Sequence, residues 1–140
     1  MLKTMSDLST IGGRIKYYRL LNGLRQKDIY EKIKIDKSTY IRHESKSTTS
    51  FDLEICRKIC DVIGIDPILV YDDYLTFISS DYRTTLRKFR KKHKLTHKKF
   101  GALIDMHPKI SAIWENGKSE PSRVSHEKIK ELFIRFNYNI

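Results

Sequence analysis

Only two cysteines, three prolines, six glycines and one tryptophan occur in the 140 residues. Two cysteines are too few for a disulfide framework or a cysteine-rich zinc finger. Cys56 and Cys60 lie four apart in LEICRKICDVIG, on one face of a helix, with no His or third Cys at a metal-finger spacing beside them. Their expected role is burial on that face, with neither a disulfide nor a structural metal. Long apolar runs are missing as well. The most apolar stretch, Ile68 to Tyr71, is far below the ~20 residues needed to span a bilayer, and MLKTMSDLST lacks the apolar core of a secretory signal. No membrane association and a cytoplasmic location are expected. There is no Gly-rich phosphate loop, no paired catalytic carboxylates and no metal cluster, and the five histidines are scattered, so the sequence offers no catalytic residue, metal or cofactor and an enzyme is not expected.

Acidic charge is the last shortage, and it points to a partner. Lys and Arg number 28 against 17 Asp and Glu, for a net +11, and the isoelectric point is near 9.7. Such a balance suits a polyanion, with nucleic acid the first candidate. The excess is uneven: residues 1–75 hold 13 basic and 11 acidic side chains, net +2, while residues 76–140 hold 15 and 6, net +9.

The chain also repeats itself. Ile15 to Ser50 overlays Leu86 to Pro121 without a gap at an offset of 71 residues. Arg19 falls on Arg90, Leu24 on Leu95, Lys27 on Lys98, Ile33 on Ile104 and Glu44 on Glu115, while Tyr18/Phe89, Ile29/Phe100 and Ile35/Met106 agree in character. Two copies of one helical module account for this better than a single irregular domain.

Each copy reads as helical, and no strand-like alternation occurs. Ser9 or Thr10 caps a first helix carrying Ile11, Ile15, Tyr18 and Leu21, and Gly23 supplies its left-handed stop. A second helix runs from about Gln26 to Ile33, and Asp36 is placed to cap a third from about Lys37 to Ser45. Asp52 begins a fourth that stops at Gly64, and Asp66 followed by Pro67 opens a fifth, PILVYDDYLTFI, apolar on more than one face. A junction near Ser79, Ser80 and Asp81, without Gly or Pro, leads to the second copy. The expected domains are residues 1–78 and 79–140.

Two helices joined by a short turn, the second with polar residues at its N-terminal end, form a helix-turn-helix, whose second helix enters the major groove. GLRQKDIYEKIKIDKSTYIRHE in the first copy, and LTHKKFGALIDMHPKISAIWENGKSEP in the second, with its WENGKSEP ending, resemble the phage-repressor and Cro (Xre) family of helix-turn-helix regulators. The resemblance covers roughly residues 11 to 135 and implies an all-α fold of two tandem lambda-repressor-like helix-turn-helix domains. It further implies that Gln26, replaced by His97 in the second copy, contacts phosphate and steadies the recognition helix. The family's ion pair between the first and third helices maps onto Arg19 with Glu44 and Arg90 with Glu115.

Groove-facing positions carry over to Lys37, Ser38, Ile41 and Arg42, with Thr39 near the DNA backbone. Arg can bridge guanine O6 and N7, while Lys and Ser can donate to base edges or phosphate. In the second copy they become Pro108, Lys109, Ala112 and Ile113, either touching thymine methyls or serving as a protein-contact surface. The run Arg87, Lys88, Arg90, Lys91, Lys92, Lys94, Lys98 and Lys99 either meets phosphates or forms a solvated face. Lys118 matches a loop position that often meets phosphate. The chain departs from the family pattern in four places. Lys34 and Asp105 replace the usual turn Gly, Tyr30 replaces a small residue that the second copy keeps as Gly101, and Arg25 replaces a capping Thr and is free to contact phosphate instead. His43, aligned with Trp114, is expected in the core.

The function expected from this reading is sequence-specific binding of double-stranded DNA by a transcriptional regulator. Its first domain reads bases and its second, more basic domain mainly grips phosphates. The rival reading is an antitoxin-like or protein-interaction regulator, dimerising or binding a protein partner through the fifth helix or the second domain.

Overall fold

A computed structural model describes residues 8–45 and 51–138. The N-terminal MLKTMSD and the last five residues of the first repeat, 46–50, lie outside the described residues. No strand occurs among those described. The chain divides into two compact units, Met1–Leu75 and Thr76–Ile140, slightly ahead of the junction expected at Ser79 to Asp81.

In the first unit, α1 (Ile11–Leu21), α2 (Gln26–Ile33), α3 (Lys37–Glu44) and α4 (Leu53–Ile63) precede a 3-10 turn, Pro67–Leu69, and the start of α5 (Asp73–Ser79). The Thr10 hydroxyl accepts from the Gly13 amide and the Asp52 carboxylate from the Ile55 amide, so α1 and α4 each have one otherwise unpaired first-turn donor satisfied. Gly23 and Gly64 follow α1 and α4 at φ 70° and 86°, the left-handed region open to glycine. Asp36 occupies the cap position of α3, yet its side chain makes no capping bond. Ile11, Ile15, Ile29, Tyr40, Ile59, Cys60, Ile63, Val70 and Leu75 form the core.

The continuous fifth helix expected from PILVYDDYLTFI is broken in two. Asp66 does accept from the Ile68 amide and starts the 3-10 turn. The chain then leaves helical geometry, the Arg14 guanidinium takes the carbonyls of Val70 and Tyr71, at 3.3 and 3.0 Å, and Asp72 restarts the helix by accepting from the Leu75 amide.

The second unit holds α6 (Tyr82–Lys92), α7 (His97–Leu103), α8 (Ile110–Glu115) and α9 (Arg123–Arg135), capped by Asp81, Thr96 and Ser122 at the starts of α6, α7 and α9. Leu86, Phe89, Phe100, Ile104, Trp114, Ile129, Leu132 and Phe133 are buried. Phe89 is the centre of a ring cluster with Phe133 at 4.4 Å, His93 at 4.8 Å and Tyr138 at 5.0 Å.

Backbone geometry repeats at the offset of 71. Lys94 takes the left-handed conformation of Gly23, and Lys34 and Asp105 share it at φ 61° and 54°. The Leu24 amide bonds to the Arg19 carbonyl as Leu95 does to Arg90, and Ile35 bonds to Tyr30 as Met106 does to Gly101.

Candidate nucleic-acid interface

The orientation of α3 is set from behind. Buried Arg19 donates to both carboxylate oxygens of Glu44, at 2.8 and 3.1 Å, and to the Leu24 carbonyl at 2.8 Å. It thereby ties the end of α3 to the end of α1. Gly12 lets the helices approach: a Cβ there would stand 2.6 Å from the Glu44 carbonyl carbon. Tyr40 and His43 face the core. The His43 Nδ1 donates to the Thr39 carbonyl at 2.8 Å, and its buried Nε2 makes no hydrogen bond. Burial, with Glu44 nearby, holds the Tyr40 phenol well above its usual value.

With that face anchored, Lys37, Ser38, Ile41 and Arg42 are exposed and Thr39 is half-buried. Gln26 is the first residue of α2 and half-buried. Arg25 is less free than expected. Its backbone amide donates to Asp28 at 2.8 Å and its guanidinium to the same carboxylate at 2.9 Å, which lowers the carboxyl and raises the guanidinium from their ordinary values. An acid three residues after the cap is a readable capping signal, so this partner was legible in the sequence.

In the second unit Arg90 grips Glu115 as Arg19 grips Glu44, at 2.9 and 3.0 Å, and the bond holds Arg90 above the usual guanidinium value. More groups gather here. Arg83 donates to the Glu115 carbonyl at 3.0 Å, the Arg87 Nε lies 3.5 Å from the carboxylate and the His97 Nδ1 3.7 Å. His97 also bonds the buried Ser111 hydroxyl at 2.6 Å, so the residue aligned with Gln26 braces α8. Sequence reading missed Ser111, because nothing in its neighbourhood marks a bond to a residue 14 positions earlier.

In the second copy, α8 starts later than the sequence implied. It begins at Ile110, leaving Pro108 and Lys109 in the preceding turn, where the His107 Nδ1 accepts from the Lys109 amide. Residues 104–109 separate α7 from α8, a longer stretch than residues 34–36 between α2 and α3. Lys109 and Pro108 are exposed, while Ala112 and Ile113 are half-buried. Lys91, Lys98, Lys99 and Lys118 are exposed. Lys92 is exposed as well, with its ammonium 5.4 Å over the Tyr138 ring.

Burial pushes the Cys56 and Cys60 thiols up to about 12. Among the described residues, no group of His, Cys, Asp and Glu is placed to hold a metal ion, and no helix is long and apolar enough to cross a membrane.

Comparison with curated proteins and with solved structures finds no match for the chain. Residues 15–70 match the family model described as helix-turn-helix. That span holds most of α1, the pair α2 and α3, and α4, so the first unit carries one helix-turn-helix domain of this Xre-like, DNA-binding family.

Proposed function

We propose that the chain is a double-stranded DNA-binding transcriptional regulator with two helix-turn-helix modules, the first reading bases through α3 and the second gripping phosphates. The observation that carries this is the repeated bracket: Arg19 with Glu44, and Arg90 with Glu115, at the same offset of 71 residues. In the first unit it leaves Lys37, Ser38, Ile41 and Arg42 outward on an anchored helix. In the second the corresponding positions are Pro108, Lys109, Ala112 and Ile113, of which only Lys109 has a polar side chain, whereas the basic excess of +9 lies in residues 76–140. Phosphate contacts supply affinity without sequence information. The preferred site then has two unlike halves, the first including a guanine and the second tolerant of sequence.

Random-duplex selection with the intact chain tests this. An asymmetric site with one well-defined half is the expected result. Replacing Lys91 and Lys98 with Gln weakens preferred and random duplexes alike and flattens the salt dependence by nearly one unit per lost contact. An unchanged salt slope assigns those lysines to a solvated face.

A second reading has its own support. Ile68 and Leu69 are 58% and 46% exposed on the 3-10 turn, an apolar pair that a protein partner or a second copy would cover. A perfectly palindromic site, with dimers in solution, favours this reading.

A further inference from the structure

We infer that DNA binding by the second unit is proton-linked through His97, which takes a phosphodiester oxygen of the duplex together with Arg87. This rests on the DNA-binding reading above. A local surplus of positive charge surrounds Glu115. Arg90 already satisfies both oxygens of Glu115, at 2.9 and 3.0 Å. Arg87 and His97 nevertheless approach the same carboxylate, at 3.5 and 3.7 Å. One negative charge is shared among three basic side chains, and the outer two keep 53% and 39% of their side-chain surface in solvent. Lys98 and Lys99 follow His97 and are exposed. An anion from solution is the missing complement, and a polyanionic partner brings one.

The imidazole is held for this role. Its Nδ1 is engaged by the Ser111 hydroxyl at 2.6 Å, so the ring is fixed while part of it remains in solvent. A neutral imidazole has one donor and one acceptor nitrogen, whereas a protonated ring donates from both. On taking a proton from solvent, Nδ1–H donates to Ser111 and faces Glu115, and Nε2–H becomes a charged donor for phosphate. The charged groups around the ring are Glu115 on α8, Arg90 and Arg87 reaching that carboxylate from α6, and Lys98 and Lys99 on its own helix. The first unit has Gln26 at the corresponding position, which carries no titratable proton, so the linkage belongs to the second unit alone.

The test compares the intact chain with His97→Gln, which copies the first unit's residue. Affinity for a random duplex is measured against salt at pH 8 and pH 6, the range in which histidine changes charge. The wild-type chain should bind about threefold tighter at pH 6, the order of one exposed ion pair, with a salt slope steeper by about 0.9. His97→Gln should show the same slope at both. In parallel, the imidazole NMR signals of wild-type His97 are followed at fixed pH as duplex is added. They should move toward the protonated form, and inorganic phosphate at equal phosphate concentration should move them less. A wild-type slope indifferent to pH, a pH effect that survives in His97→Gln, or signals unmoved by duplex overturns the inference while DNA binding stands. Equal shifts with inorganic phosphate overturn the assignment to the duplex. No binding at either pH overturns the DNA-binding reading as well.

Discussion

Arg90 donates to both oxygens of Glu115, and 71 positions earlier Arg19 does the same to Glu44, each pair closing the angle between the first and third helices of its unit. Both Arg19 and Glu44 are buried, so deleting one partner strands a charge out of water. Glu44→Ala should therefore cost about 3–5 kcal/mol, read from urea unfolding. Glu54→Ala, which breaks an exposed pair with Arg57, should cost about 1 kcal/mol or less. Equal shifts for the two would mean that the buried pair does not brace the fold.

Lys34 and Asp105 hold left-handed backbone at φ 61° and 54°, a conformation that costs a side-chain-bearing residue about 1–2 kcal/mol. Lys34→Gly and Asp105→Gly should each raise stability by about 1 kcal/mol, less the greater entropy that glycine gives the unfolded chain. Thermal melting checks it. A lower melting temperature in both variants would show that neither turn is strained.

At Gly101 the direction reverses. An added Cβ would stand 2.6 Å from the His107 carbonyl oxygen, a backbone atom that cannot swing aside. Gly101→Ala is expected to destabilise by about 1–3 kcal/mol, although the same change in an open helix stabilises by about 0.5–1 kcal/mol. Gly12→Ala, facing the Glu44 and Ser45 backbone at 2.6 Å, should behave alike.

Cys56 and Cys60 are buried, free thiols raised from 9.0 to about 12. In folded protein at neutral pH both should resist a thiol reagent, and in urea both should react. The raised value has a stability consequence. Above about pH 9 the unfolded chain loses these protons while the folded chain keeps them, so stability falls as pH rises through 9 toward 12. Cys56→Ala should blunt that alkaline loss; an unchanged alkaline profile would remove the thiol from the account.

Arg42 is exposed near the end of α3. On the DNA-binding reading, Arg42→Ala should cost about 1–3 kcal/mol on the preferred duplex and relax preference at one base pair. Full discrimination between preferred and scrambled duplexes in that variant would exclude Arg42 as a reader.

What the sequence determined by itself is what depends on neighbours along the chain. Thr10, Asp52 and Asp66 cap amides two or three residues on, Gly23 and Gly64 end helices because they tolerate positive φ, and helical spacing marked Ile11 and Ile15 of α1 as buried, although Leu21 of the same series is exposed. The repeat at offset 71 was visible because both stretches place similar residues at the same helical positions. Tertiary structure decided the rest, since it depends on which distant groups meet. Where the expected fifth helix is interrupted, Arg14 meets the Val70 and Tyr71 carbonyls from 56 and 57 residues away. Ser111 captures His97, and the Tyr138 ring lies under the Lys92 ammonium. Long flexible side chains settle where packing offers an oxygen or a ring, and periodicity carries no information about that.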